Sequence, residues 1–195
     1  MALLLETFSL EHLPADHTIH IALFQNVKNA AYLHQQLLSG NTDFEYAFID
    51  ASVILSRLHA LAASYRAIND ALAQRMKSRN VHSEIVFSLS PNNNIAESFR
   101  RFGVTATTQH LLVVKVSTPA LPVAADDVRA HLERCVDGDP VRFDDAVLER
   151  MTDLPRVRKI YKLNSAPAAL VQGVQGLKEL EVLVLGSMAL RGATN

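Results

Sequence analysis

Apolar residues recur along this chain with two different periods, and the switches between them divide it into elements. Ile19, Ile21 and Leu23 alternate with His20, Ala22 and Phe24, the period of a strand covered on at least one face, and predict a strand over 18–24. Ile85, Phe87 and Leu89 alternate with Glu84, Val86 and Ser88, and predict a second strand running into a polar loop. The unbroken run Leu111-Leu112-Val113-Val114, continued by Lys115-Val116, fits a strand buried on both faces and central in its sheet.

Helical spacing fills the intervals. Leu33 and Leu37 share a face of a predicted helix over 29–39, closed by Gly40. From Asp50 onward, Ile54, Leu58, Leu61, Tyr65, Ile68 and Leu72 follow one another by three or four residues, which predicts a long helix over 52–76 capped by Asp50 or Ser52. Residues 118–125, with Pro119 and Pro122, read as a loop. A short helix follows, with Val128, Leu132 and Cys135 inward and Gly138 as its stop. Asp153 caps and Pro155 starts another helix, whose Val157, Ile160 and Tyr161 share a face amid Arg156, Arg158, Lys159 and Lys162. The last helix, over 174–190, carries Leu177, Leu180, Val182, Leu183, Val184, Leu185, Met188 and Leu190 nearly all the way round. Such a helix is either enclosed by its own domain or shares one face with a partner. The fold class that follows is a single α/β domain over 1–195, a central mixed or antiparallel sheet covered by helices.

Residues 90–103 are the most densely specified segment. After Ser90-Pro91, Asn94 stands where it caps a helix and Glu97 stands three residues on, where it reaches back to the Asn94 N–H. Ile95, Phe99 and Phe102 share a face, and Gly103 sits where a left-handed stop is expected. Asn92, Asn93 and Asn94 therefore lie just outside a helix N-terminus, a place compatible with anionic groups; turn and cap chemistry accounts for the same residues.

Charge and cysteine content narrow the function. Net charge is −1, so no global positive field marks a nucleic-acid binder, and any RNA contact must come from a local patch. The one cysteine, Cys135, rules out an internal disulfide and a multi-cysteine zinc site and suits a reducing compartment. The apolar start Met1-Ala2-Leu3-Leu4-Leu5 meets Glu6 at once and lacks the basic flank of a secretory signal, and no apolar run reaches the roughly 18 residues of a membrane span. The expectation is a protein of the cytoplasm and nucleus with no membrane contact.

Catalytic motifs are missing. There is no phosphate-binding glycine loop, and Gly173-Val174-Gln175-Gly176 reads as a helix start. The eight histidines form no metal-ligand motif: His17 and His20 fall on opposite faces at strand spacing. The acidic pairs Asp126-Asp127, Asp137/Asp139 and Asp144-Asp145 each adjoin a cap or turn. Nothing local activates Cys135. The expectation is no catalytic residue, no metal and no cofactor.

Five stretches also carry a resemblance: Val27-Lys28-Asn29-Ala30, Arg75-Met76-Lys77-Ser78-Arg79-Asn80, Ser83-Glu84-Ile85-Val86-Phe87, the 90–103 segment, and Arg158-Lys159-Ile160-Tyr161-Lys162-Leu163. In this order and at these spacings the chain resembles, over about residues 18–191, the kinase-associated subunit of the KEOPS complex, the PRPK-binding protein family, in its fungal type. The resemblance implies a non-enzymatic subunit that binds the small atypical protein kinase of KEOPS, reaches the other subunits indirectly, and supports threonylcarbamoyladenosine formation in tRNA and telomere maintenance. It implies kinase contact through the last helix, with Leu180, Leu183, Val184 and Met188 as candidates. It also implies a grip on the tRNA 3′ CCA end, for which Lys77, Arg79, Asn92, Asn93, Asn94, Arg158 and Lys162 are candidates. Two alternatives stay open: a protein-interaction module without RNA contact, and an enzyme using the 90–95 loop as an anion site.

Overall fold

A computed structural model describes residues 3–163 and 173–192, without the side chains of 173–175. In chain order the elements are β1 (Glu6–Ser9), β2 (Thr18–Gln25), α1 (Ala30–Leu38), β3 (Ala47–Asp50), α2 (Arg57–Leu72), α3 (Val81–Ser88), α4 (Ile95–Phe102), β4 (Leu111–Ser117), α5 (Ala125–Cys135), β5 (Asp139–Val141), α6 (Asp145–Met151), α7 (Leu154–Ile160) and α8 (Gly173–Ala189).

The sheet is antiparallel throughout, in the order β1-β2-β4-β3. β1 and β5 pair with successive halves of β2, through Glu6↔Ile21 to Ser9↔Thr18 and then Leu23↔Val141 to Gln25↔Asp139. β4 is interior and buried along its whole length, as its unbroken apolar run predicts. The period of two sorts the core. Ile19, Ile21, Leu23, Leu112, Val114 and Val116 point to one face, where they pack with residues of α2, α3, α6, α7 and α8. Ala22, Phe24, Leu111 and Val113 point to the other, against Leu33 of α1 and Val128 and Leu132 of α5. A sheet covered on both faces leaves its strands no polar side, so only the flanking residues show where they end.

Three sequence expectations are corrected here. The strand expected at 84–89 is helix α3, capped by Asn80, whose Oδ1 accepts from Ser83 N–H (2.8 Å). Six of its eight residues are buried, among them Glu84 and Val86, and a helix buried all round loses the 3.6-residue signature that separates it from a strand. The long helix is α2, residues 57–72 rather than 52–76, and its cap is Ser56, whose Oγ accepts from His59 N–H (3.0 Å). Asp50 instead caps a short 3₁₀ turn over 51–53. The buried face of α2 keeps Ile68 of the expected apolar stripe, but beside it His59, Ala60, Ala63, Ser64 and Ala67 face inward while Leu58 and Leu72 are exposed. Small side chains bring α2 close against its neighbours and displace the larger residues to its flanks.

The third correction concerns the glycines. Gly103 is extended (φ −70°, ψ 161°) rather than left-handed. Its lack of a side chain serves contact: a Cβ there would lie 2.7 Å from the Phe99 carbonyl oxygen. Gly138 lies beyond Val136, the C-cap of α5, and packs against Val27 and Gln25.

One buried chain of hydrogen bonds ties three helices together. His59 Nδ1 accepts from Leu55 N–H (3.2 Å), its Nε2–H donates to Tyr161 Oη (3.0 Å), and that hydroxyl donates to the Leu89 carbonyl (2.6 Å). The first link needs a neutral imidazole with a bare Nδ1, and full burial drives the His59 pKa down to about 3.

Candidate functional site

The C-terminal helix resolves the question its composition posed. Leu180, Val184 and Met188, spaced by four, are 1%, 0% and 3% exposed and belong to the core on the α2 side of the sheet. Val182 and Leu183 are 67% and 41% exposed. Of the four residues expected to meet a kinase, three are thus occupied within the domain, and only Leu183 lies on the outer face, beside Val182. Gly186 shares that region, and a Cβ there would meet nothing within 4 Å, so the outer surface is open around it.

Past its last turn the helix is locked down. Arg66 of α2 donates to the carbonyls of Met188 and Arg191 (the latter 3.4 Å), a cation supplying hydrogen bonds to the end of α8, where carbonyls lack helical partners. Arg191 is 6% exposed. Its guanidinium donates to the Phe87 carbonyl and stacks 3.9 Å from the centre of the Phe87 ring. Burial, aided by the neighbouring Arg66, lowers its pKa to about 10, while Glu84 and Asp70 act in the opposite direction.

These contacts build one wall of a groove of about 720 Å³, lined by Arg66, Asn69 and Asp70 of α2, Arg75 and Lys77 of the following loop, Glu84 and Phe87 of α3, Asn93, Ile95 and the end of α8. Four cations, Arg66, Arg75, Lys77 and Arg191, face two carboxylates, Asp70 and Glu84, a local excess of two positive charges in a chain whose net charge is −1. Glu84 shapes the loop that presents Lys77: its Oε2 accepts from Lys77 N–H (3.0 Å), Ser78 N–H (2.8 Å) and Ser78 Oγ–H (2.6 Å). Asp70 pairs with Arg75 (3.2 Å) and with Arg66 (3.8 Å).

The seven residues expected at RNA separate into distinct places. Lys77 and Asn93 line the groove, and Asn93 makes no side-chain hydrogen bond among the described residues. Asn92 and Asn94 build the turn: Asn92 Oδ1 accepts from Asn94 N–H (3.0 Å) and Asn94 Oδ1 accepts from Glu97 N–H (2.9 Å). The expected return contact from Glu97 to the Asn94 N–H is replaced, since Glu97 accepts from Asn92 Nδ2 (3.0 Å) and pairs with Arg101. Arg79 turns into a different cavity, beside β3. Arg158 and Lys162 belong to α7 and its exit, where Lys162 is exposed with φ 57°, and neither lines the groove. Sequence reasoning passed over Arg66, Arg75 and Arg191. The pairing of Arg66 with Asp70 one turn later was a readable signal; Arg191 stands alone in sequence and gave none.

Burial pushes the Cys135 thiol up to about 11, away from the thiolate form. His131, whose Nδ1 lies 4.0 Å from the sulfur, shares that nitrogen with Tyr46 Oη at 2.9 Å. Among the described residues no group of three His, Cys, Asp or Glu side chains suits a metal ion, and no helix is long and apolar enough to cross a membrane.

A two-faced terminal helix beside a basic groove presents two surfaces suited to contact with other molecules. The chain belongs to the family described as kinase binding protein CGI-121, whose model matches residues 24–192. It is 56% identical over 199 aligned residues to the EKC/KEOPS complex subunit cgi121 of Aspergillus terreus and 53% identical over 195 to that of Aspergillus fumigatus, in both cases covering 100% of each chain. It is 33% identical to the Schizosaccharomyces pombe subunit of the same name, covering 89% of this chain and 93% of that one.

Proposed function

We propose that this chain is a non-catalytic KEOPS subunit that binds the small atypical kinase of the complex through the outer face of α8, holds the 3′ CCA end of tRNA in the adjoining groove, and so supports threonylcarbamoyladenosine formation by other subunits. The observation that carries the kinase half is the exposure of Val182 and Leu183 on a helix whose opposite side is fully used by the core. Large apolar side chains kept outward on a structurally committed helix fit a contact surface, and membership of a kinase-binding family supports that occupant.

The RNA half is supported by the groove. Its local positive excess overrides the chain's overall neutrality, and the free amide of Asn93 supplies hydrogen-bonding capacity for a base edge beside cations suited to phosphates.

Both halves are tested on the full chain. Val182→Asp with Leu183→Asp would place unpaired charge in the kinase contact and is expected to weaken association by about 30-fold or more, while Leu121→Asp, at another exposed apolar position, leaves it unchanged. Equal binding by both variants overturns the assignment of α8. Titration of intact and CCA-trimmed tRNA at two salt concentrations tests the groove. The log–log salt slope should shrink by about 0.7 for each single-strand phosphate contact removed by Lys77→Ala or Arg75→Ala, and trimming should weaken binding further. Equal affinity for both RNAs would leave a kinase-binding module alone.

A further inference from the structure

The cavity into which Arg79 turns shares no lining residue with the groove at the end of α8. It holds about 510 Å³ beside the edge strand β3, between the end of α1, the start of α3 and the end of α4. That volume lies within the range of small-molecule sites. Leu37, Phe44, Phe48, Val86 and Phe99 give it an apolar and largely aromatic lining.

The rim adds charge. Arg79 is exposed and makes no ion pair among the described residues, and Arg100 is held only at its exposed surface by Glu97, 3.6 Å away. Glu45, the carboxylate at the same rim, accepts from Asn80 Nδ2 (3.3 Å). Two arginines at the mouth and an aromatic lining describe the complement of one kind of molecule.

We propose that this cavity binds a small organic anion with a flat apolar body, the body against the aromatic lining and its carboxylate or phosphate at Arg79 and Arg100.

The test uses the full chain and two probes of the same shape. Naphthalene-2-carboxylate carries the charged head and naphthalene-2-methanol lacks it. The carboxylate should bind in calorimetric titrations and the alcohol about tenfold more weakly, and Arg79→Glu with Arg100→Glu should weaken the carboxylate about tenfold but not the alcohol. Ser83→Phe, at a lining position whose side chain makes no hydrogen bond among the described residues, should fill the cavity and abolish binding of both. Failure of the carboxylate to bind at millimolar concentration, equal affinity of the two, a carboxylate affinity unchanged by the double charge reversal, or binding that survives Ser83→Phe overturns the proposal. The exposed arginine pair keeps it falsifiable should Ser83→Phe disturb the fold.

Discussion

Arg191 is the residue on which the junction between α8 and the rest of the domain turns, and its replacement gives a sharp test. Its guanidinium donates to the buried Phe87 carbonyl and stacks at 3.9 Å on the Phe87 ring. A hydrogen bond from a charged donor contributes about 1.5–3 kcal/mol, and a desolvated cation–π contact about 1–2 kcal/mol. Part of this is offset by the cost of burying the charge, which the lowered pKa of about 10 reflects. Arg191→Ala also leaves the Phe87 carbonyl with the Ser90 N–H (3.1 Å) in place of two donors. The net expectation is a loss of about 2–4 kcal/mol, a large share of a typical domain's stability. Arg191→Lys keeps the charge and much of the stem but cannot stack a planar fork, so it should lose about half as much. Urea unfolding followed by circular dichroism gives the totals, and amide exchange locates them: protection should fall most over residues 184–190 of α8. An alanine variant within about 0.5 kcal/mol of the parent, or a lysine variant as damaged as alanine, would refute the view that the planar stacked guanidinium fastens the helix.

Other consequences follow from the same packing. Leu180→Ala should cost about 2–5 kcal/mol in urea unfolding because the side chain is 1% exposed, whereas Leu183→Ala should stay within about 0.5 kcal/mol; similar losses would contradict the division of α8 into inner and outer faces. His59 and His82 have folded pKa values lowered to about 3 against about 6.5 unfolded, so their contribution is complete above pH 6.5 and is lost as pH falls towards 3. Each should remove about 1.4 kcal/mol per pH unit across that window, and a urea midpoint that stays constant from pH 7 to 5 would contradict their burial as neutral rings. The purified chain should hydrolyse no ATP and modify no tRNA alone; an activity lost on Cys135→Ser would show that the buried thiol is a nucleophile after all.

Much of the fold is legible because its strongest patterns are local. The period-two strand at 18–24 and the unbroken run from Leu111 both become interior strands, and Asn94 and Asp153 cap α4 and α7 from their positions before helical runs. Legibility fails where tertiary burial overrides pattern. In α3 the polar residues Glu84 and Ser88 are as deeply buried as Ile85, so alternation misleads, and in α2 an alanine face replaces the leucine stripe. β1 and β5, of four and three residues, are too short to show a period at all. The groove could not be read as a unit because its walls come from residues 66–77, 84–95 and 189–192, and no spacing rule joins three such segments.

The helix that was hardest to interpret alone is the one that joins the two proposed surfaces. Leu180, Val184 and Met188 satisfy the domain, and this leaves Val182 and Leu183 without a structural task inside it. At its end the same helix is held by Arg66, which also lines the groove and pairs with Asp70, while Asp70 in turn restrains Arg75. A partner that rigidifies α8 from outside therefore acts on the same arginines that set the groove's shape and charge. If a kinase on the proposed face of α8 sharpens the proposed groove for RNA by some factor, RNA must tighten kinase binding by that factor, because coupling between two binding sites is reciprocal.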